Sequence, residues 1–123
     1  MQYAILCYHQ EDIVGAWTKE EDDACMARLA KVEDKLNLQG KIGPTARLLP
    51  TTAATTLRKT RDEPLVIDGP FAETKEQLLG FYLIDCEALD EALDIARKLA
   101  AANPGGSYEI RPVGIFHDWS FGK

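Results

Sequence analysis

Apolar positions along the chain change period several times, and each change marks an element. Residues 3–8 (YAILCY) run almost without a polar break, the pattern of a strand covered on both faces. From Thr18 the period lengthens. Cys25, Leu29, Val32 and Leu36 recur at helical spacing with Met26 beside them, while Arg28, Lys31, Glu33 and Lys35 fall outside the stripe. Thr18 followed three residues later by Glu21 has the form of a capping box. Glu20, Glu21, Asp22 and Asp23 put negative charge in the first turn, where the helix dipole favours it. Gly40 and Gly43-Pro44 predict the helix's end.

Residues 47–67 read as short strands and tight turns. Thr55-Thr56-Leu57-Arg58 and Leu65-Val66-Ile67 are rich in β-branched residues, and the polar residues 60–64 between them predict a hairpin. Asp68-Gly69-Pro70 signals a reversal, because Gly permits unusual φ values and Pro fixes its own. Residues 79–84 (LGFYLI) give a second strongly apolar strand. Leu89, Ala92, Leu93, Ala96 and Leu99 form the stripe of a second helix, ended by Asn103-Pro104-Gly105-Gly106. A last strand over residues 108–113 sets Tyr108 and Ile110 on one face and Glu109 and Arg111 on the other.

The predicted order is β-α-β(-β-β)-β-α-β, an α+β domain over residues 1–116 followed by an aromatic tail over residues 117–123. Two helices with one apolar stripe each cover a single face of the sheet. Strands 3–8 and 79–84 are apolar on both faces, so a second surface must cover the other one. An identical sheet related by a two-fold axis is the simplest cover, and a homodimer is expected.

Composition narrows the function. Hydrophobic residues make up 46% of the 123 and charged residues 28%, as in an ordinary globular domain. The net charge is −6, from 20 acidic and 14 basic residues, which argues against a nucleic-acid partner. The basic group Arg58, Lys59 and Arg61 is flanked at once by Asp62 and Glu63 and reads as a solvated turn. Cys7, Cys25 and Cys86 form no C-x-x-C pair and stand in apolar surroundings, so reduced, buried thiols in a cytoplasmic protein are expected, with no metal. The N-terminus opens straight into a strand-like run without the features of a secretory leader. No apolar run approaches the roughly 20 residues of a membrane helix. The glycines form neither a dinucleotide-binding pattern nor a P-loop, and no cofactor is expected.

The stretch Asp68-Gly69-Pro70-Phe71-Ala72-Glu73-Thr74-Lys75-Glu76-Gln77-Leu78 resembles the signature that names the DGPF branch of the YCII-related proteins. The resemblance extends over Ala54-Thr55-Thr56-Leu57-Arg58, Gly80-Phe81-Tyr82-Leu83-Ile84, Leu89-Asp90-Glu91-Ala92 and Glu109-Ile110-Arg111-Pro112-Val113, and takes in the opening strand and the Trp17-Thr18 helix start. It implies a ferredoxin-like βαββαβ fold with an inserted β-hairpin, paired through its sheet into a dimeric α+β barrel. It also implies one of two roles: an accessory to a sigma-factor system, or a small enzyme of the dehydrochlorinase kind using a His–Asp dyad. The helix from Thr18 to Leu38 carries no histidine, so this chain lacks the imidazole of that dyad.

Among candidate site residues, Asp68 ends a strand before a Gly-Pro turn. There it can aim its carboxylate into a cleft as an acid–base group, or cap backbone N–H groups of its own turn. Glu73 and Lys75 follow, as a second carboxylate and an anion-binding cation, or as a solvated loop with one ion pair. Phe71 lines a pocket or anchors the loop, and Glu76 reads as structural. Arg111 suits a bound carboxylate or an internal ion pair with Glu109 or Asp68. Tyr8 and Tyr82 lie on the most buried strands, where a hydroxyl can reach a pocket or be satisfied within the core. His9, at the end of the first strand, is a proton shuttle at a sheet edge or, as most strand-end histidines are, a half-exposed surface residue. His117 and Asp118, adjacent on an extended tail, do not make a dyad, and Trp119 and Phe121 read as anchors that dock on their own domain or on a second copy.

Three functions remain open at this stage: a dimer that binds a small anionic ligand, a cofactor-independent elimination or isomerisation enzyme with Asp68 as its acid–base, and an interaction module without a pocket. The sequence does not decide whether the protein is an enzyme.

Overall fold

The computed structural model describes residues 1–60 and 62–122. In chain order the elements are β1 (Gln2–His9), α1 (Glu11–Gly15), α2 (Lys19–Leu38), β2 (Ile42–Arg47), a single 3₁₀ turn (Thr51–Ala53), β3 (Thr55–Arg58), β4 (Leu65–Asp68), β5 (Gln77–Asp85), α3 (Leu89–Ala102) and β6 (Ser107–Pro112). β1 sits inside a four-stranded antiparallel sheet of order β2-β5-β1-β6, and β3 and β4 form a separate two-stranded hairpin. This is a ferredoxin-like α+β domain with a hairpin inserted between its second and third sheet strands.

Side chains alternate across the sheet, and the two faces differ. Toward the helices, Tyr3, Ile5, Tyr82 and Ile84 are buried, and Cys7, Tyr108 and Ile110 pack against the same cluster. Cys25, Leu29 and Leu36 of α2 and Ala92, Ile95, Ala96, Leu99 and Ala102 of α3 complete this core. The opposite face carries Ala4, Leu6, Phe81 and Leu83, all only half-buried, with the exposed Glu109 and Arg111 opposite Leu6 and Ala4.

α2 begins where its sequence dictates. The Thr18 hydroxyl accepts from the Glu21 N–H at 3.1 Å, and the Glu21 carboxylate accepts from the Thr18 N–H at 3.0 Å. Both satisfy backbone donors that a helix start leaves free. Gly40, with φ of +68°, ends the turn beyond Leu38. Gly43-Pro44 does not terminate the helix, contrary to expectation. It lies within β2, an edge strand, where a proline's missing N–H is tolerated and where the register slips between Ile42 and Thr45.

Other departures are local. The segment after His9, for which the sequence pattern predicts no element, is a short helix, α1. The α3 stripe runs through Ile95 and Ala102, while Leu89, at the first helical position, is exposed. The expected turn over residues 60–64 and the basic group around it include Arg61, which lies outside the described residues. In the tail the His117 and Trp119 rings stack at 5.1 Å. Trp119 and Phe121 are 84% and 103% exposed, so they are not docked on their own chain.

Candidate functional site

The sheet's helix-facing side ends in four residues that decide where a cavity can form: Cys7 and His9 on β1, Tyr82 on β5 and Tyr108 on β6. The core seals the far end of the layer, but near the start of α2 the helix and the sheet leave a gap. That gap is a cleft of about 250 Å³, lined from the sheet by Cys7, His9, Gly80, Tyr82 and Tyr108 and from α2 by Asp22, Met26, Leu29 and Glu33. Trp17 closes the helix end, and Thr45 and Arg47 of β2 form the outer wall. Small-molecule sites commonly occupy about 300–1,000 Å³. This cleft therefore suits a ligand of one or two rings.

Its walls are mostly apolar, with polar groups at fixed points. The Arg47 guanidinium grips the Asp22 carboxylate through two bonds, at 2.9 and 3.1 Å, tying the edge strand to the first turn of α2. That bond, together with the Asp22 charge, holds the Arg47 pKa above its usual range. Asn103 donates to the Tyr108 hydroxyl oxygen at 3.0 Å and accepts from the Cys25 thiol at 3.3 Å. With its oxygen already accepting, Tyr108 retains its own proton to donate. Among the described residues nothing hydrogen-bonds to the Tyr82 hydroxyl. Burial pushes the Tyr108 phenol up to about 12 and raises Tyr82 further, and it pushes the Cys7 thiol up to about 12. Both phenols therefore stay protonated donors at neutral pH, and Cys7 stays a thiol. Burial also raises the Glu33 carboxyl above the ordinary carboxylate range, with the Asp34 charge adding to it.

His9 plays a different part. It is 8% exposed, the one buried polar side chain among the described residues. Its Nδ1 accepts from the Gln10 N–H at 2.7 Å, so the neutral ring carries its proton on Nε2. Gly105 and Gly106 lie flat against the ring, both at positive φ. A Cβ on Gly105 would stand 2.6 Å from Nε2, and one on Gly106 would stand 2.3 Å from the Tyr8 carbonyl oxygen. The glycines after α3 are thus required by close approach as well as by the turn.

Of the residues singled out from sequence, Tyr8, His9 and Tyr82 line this cleft. Glu73 and Lys75 meet in a second, shallower groove with Gly69, Pro70, Glu11, Asp12 and Gln77. Asp68 is exposed at the end of β4 and lines neither cavity, and its carboxylate accepts no hydrogen bond among the described residues. The turn around it is held by other groups: Gly69, at φ +104°, donates to the Ala54 carbonyl at 2.7 Å, and the Thr56 hydroxyl donates to the Gly69 carbonyl at 2.8 Å. Gln77 braces the same loop through the Ala72 and Thr74 carbonyls. Phe71 is 74% exposed, although its carbonyl accepts from Arg58 at 2.9 Å. Arg111 is on the open face, away from both cavities. The Glu11 carboxylate binds the Thr51 hydroxyl and N–H and so pins α1 to the 3₁₀ turn.

Sequence reasoning passed over Glu33, Arg47, Tyr108 and Asn103 as site residues. The available signal was strand parity: Tyr3, Ile5, Cys7 and His9 share a face, and the last two lie beyond the core-forming pair.

Among the described residues no cluster of His, Cys, Asp and Glu suits a metal ion, and no helix is long and apolar enough to cross a membrane. The profile of the YCII-related domain matches residues 1–117. An uncharacterised protein of Rhizobium meliloti is similar over 117 residues at 61% identity, which covers 94% of each chain.

Proposed function

The chain belongs to the YCII-related family, and from that premise we propose that it is a homodimeric protein that binds a small, flat, mainly apolar molecule in the cleft between α2 and the sheet. The observation that carries this reading is the cleft itself. Its walls are mostly apolar, Tyr82 and Tyr108 offer hydroxyl donors at its inner end, and the Arg47 guanidinium, already paired with Asp22, lies at its rim. A ligand with one oxygen acceptor, neutral or anionic, matches that layout. Titration with 2-naphthol, followed by protein fluorescence at Trp17, tests it. Saturable quenching is expected that naphthalene, lacking the oxygen, reproduces only weakly, because the phenols would then lose their acceptor. Equal response to both compounds contradicts the polar half of the reading.

The dimer is proposed from the other side of the sheet. Ala4, Leu6, Phe81 and Leu83 form an apolar strip that the helices do not cover, and Glu109 and Arg111 make its rim self-complementary in charge. The exposed Trp119 and Phe121 then have a second copy to rest on. Changing Leu6 to Glu should turn a dimer into a folded monomer, read as a halved mass in sedimentation equilibrium with an unchanged circular dichroism spectrum. A wild-type chain that sediments as a monomer would rule the dimer out.

The accessory role in a sigma-factor system that the DGPF resemblance implies needs the same binding step, with the ligand sensed rather than transformed. A cytoplasmic setting accords with three free cysteines, two of them buried.

A further inference from the structure

We infer that the inner end of the cleft is a proton-transfer site for small cyclic ketones, in which Tyr82 and Tyr108 hold the carbonyl oxygen and Glu33 moves the proton on the neighbouring carbon. This rests on the cleft being a ligand site and goes beyond it to a reaction.

All three groups line the same apolar cavity, two from the sheet and one from α2, so a flat molecule between the layers meets phenols on one side and a carboxylate on the other. β1 runs between the two tyrosines, with Tyr82 opposite Ile5 and Tyr108 opposite Cys7, so the hydroxyls approach the cavity from flanking strands. The charges of Tyr108 and Glu33 both oppose ionisation of Tyr82, which places the three groups within electrostatic reach of one another. The polar wiring is directional. Asn103 donates to Tyr108, so the remaining O–H of Tyr108 points elsewhere, and the Tyr82 hydroxyl has no partner among the described residues. Glu33 forms no ion pair among the described residues either, whereas Asp22, about three turns earlier on α2, holds Arg47. Partial burial and the adjacent Asp34 charge raise the proton affinity of Glu33, which makes it a stronger base than a fully solvated carboxylate.

Two neutral phenol donors and an unpaired carboxylate on the walls of one mostly apolar cleft are the groups that enolisation requires. The Glu33 carboxylate takes the proton from the carbon next to the carbonyl. The C–H electron pair becomes the C=C bond, and the carbonyl electron pair moves onto oxygen, where the two phenol hydrogens stabilise it. Glu33 then returns the proton to the same carbon, giving exchange, or to a conjugated carbon, giving isomerisation. Atoms and charge balance with no oxidant, reductant or second substrate. The cavity volume limits the substrate to one or two rings.

The test uses 2-tetralone in D₂O, with deuterium uptake beside the carbonyl followed by NMR, and 2-naphthol as the analogue of its enol. The wild-type protein is expected to speed exchange above the buffer rate and to bind 2-naphthol. Glu33→Gln should slow the protein-dependent exchange about 100-fold or more, and Tyr82→Phe or Tyr108→Phe by about 100-fold. Circular dichroism and melting curves establish that each variant is folded. Exchange at wild-type rate in folded Glu33→Gln overturns the assignment. Wild-type protein that binds 2-naphthol yet leaves exchange at the buffer rate overturns the proton-transfer inference and leaves the binding site standing. Failure to bind either compound overturns both.

Discussion

Replacing Ile5 by alanine should lower the free energy of unfolding by about 2–5 kcal/mol. Ile5 is fully buried on β1, with Tyr82 opposite it on β5 and Ile110 opposite it on β6. Strands pair with β1 on both sides, so the backbone cannot collapse into the space that three lost carbons would leave. The result is a cavity rather than a rearrangement, and cavities set the upper part of that range. Urea denaturation reads the effect as a lower midpoint with an unchanged slope. By contrast, Leu57→Ala on the exposed hairpin should change stability by no more than about 0.5 kcal/mol. Equal midpoints for the two variants would contradict the placement of the core.

A single methyl group at Gly80 should be nearly as damaging, and it should also damage the cleft. Gly80 is buried on β5 opposite Arg47 of β2. A Cβ there would stand 2.4 Å from the Ala46 carbonyl oxygen and 3.3 Å from the Arg47 Cα. Both are backbone atoms, so relief requires the edge strand to move. Gly80→Ala should therefore cost about 1–3 kcal/mol. It should also weaken 2-naphthol binding, because Thr45 and Arg47 move with the strand and the Arg47–Asp22 tie to α2 is strained. Gly43 provides the control. Its Cβ would meet the Leu83 carbonyl oxygen at 3.5 Å, an ordinary contact, so Gly43→Ala should melt close to wild type. A Gly80→Ala variant that melts like wild type would show that the two strands have slack the structure does not contain.

The fold was readable from the chain because its elements announce themselves locally. The Thr18-x-x-Glu21 cap, the Cys25–Leu29–Leu36 stripe and the two greasy strands needed no tertiary information. β2 was harder to place because Gly43-Pro44 looks like a breaker, and only the strand's edge position makes it tolerable. The hairpin β3–β4 followed from β-branched runs, but its separation from the main sheet did not, since pairing partners are non-local. The site was the least legible part. The most distinctive sequence, the Asp68-Gly69-Pro70 stretch, draws attention because turns need special residues. In the structure those residues mainly bond to each other and to β3. The cleft residues are scattered over β1, α2, β2, β5 and β6, and none belongs to the Asp68–Leu78 stretch. Tyr108 and Glu33 look like ordinary strand and helix residues until α2 lies over the sheet, and Arg47 gains meaning only from Asp22. Parity along β1 pointed to Cys7 and His9, but no local pattern distinguishes a strand end that is packed from one that borders a cavity.

A bound small molecule should sit between α2 and the sheet. Amide chemical shifts of ¹⁵N-labelled protein, followed by NMR as 2-naphthol is added, locate it residue by residue. Saturable changes concentrated at Cys7, Trp17, Leu29, Glu33, Tyr82 and Tyr108 are the predicted result. Changes centred on Gly69 and Lys75, or spread thinly over the surface, would contradict it.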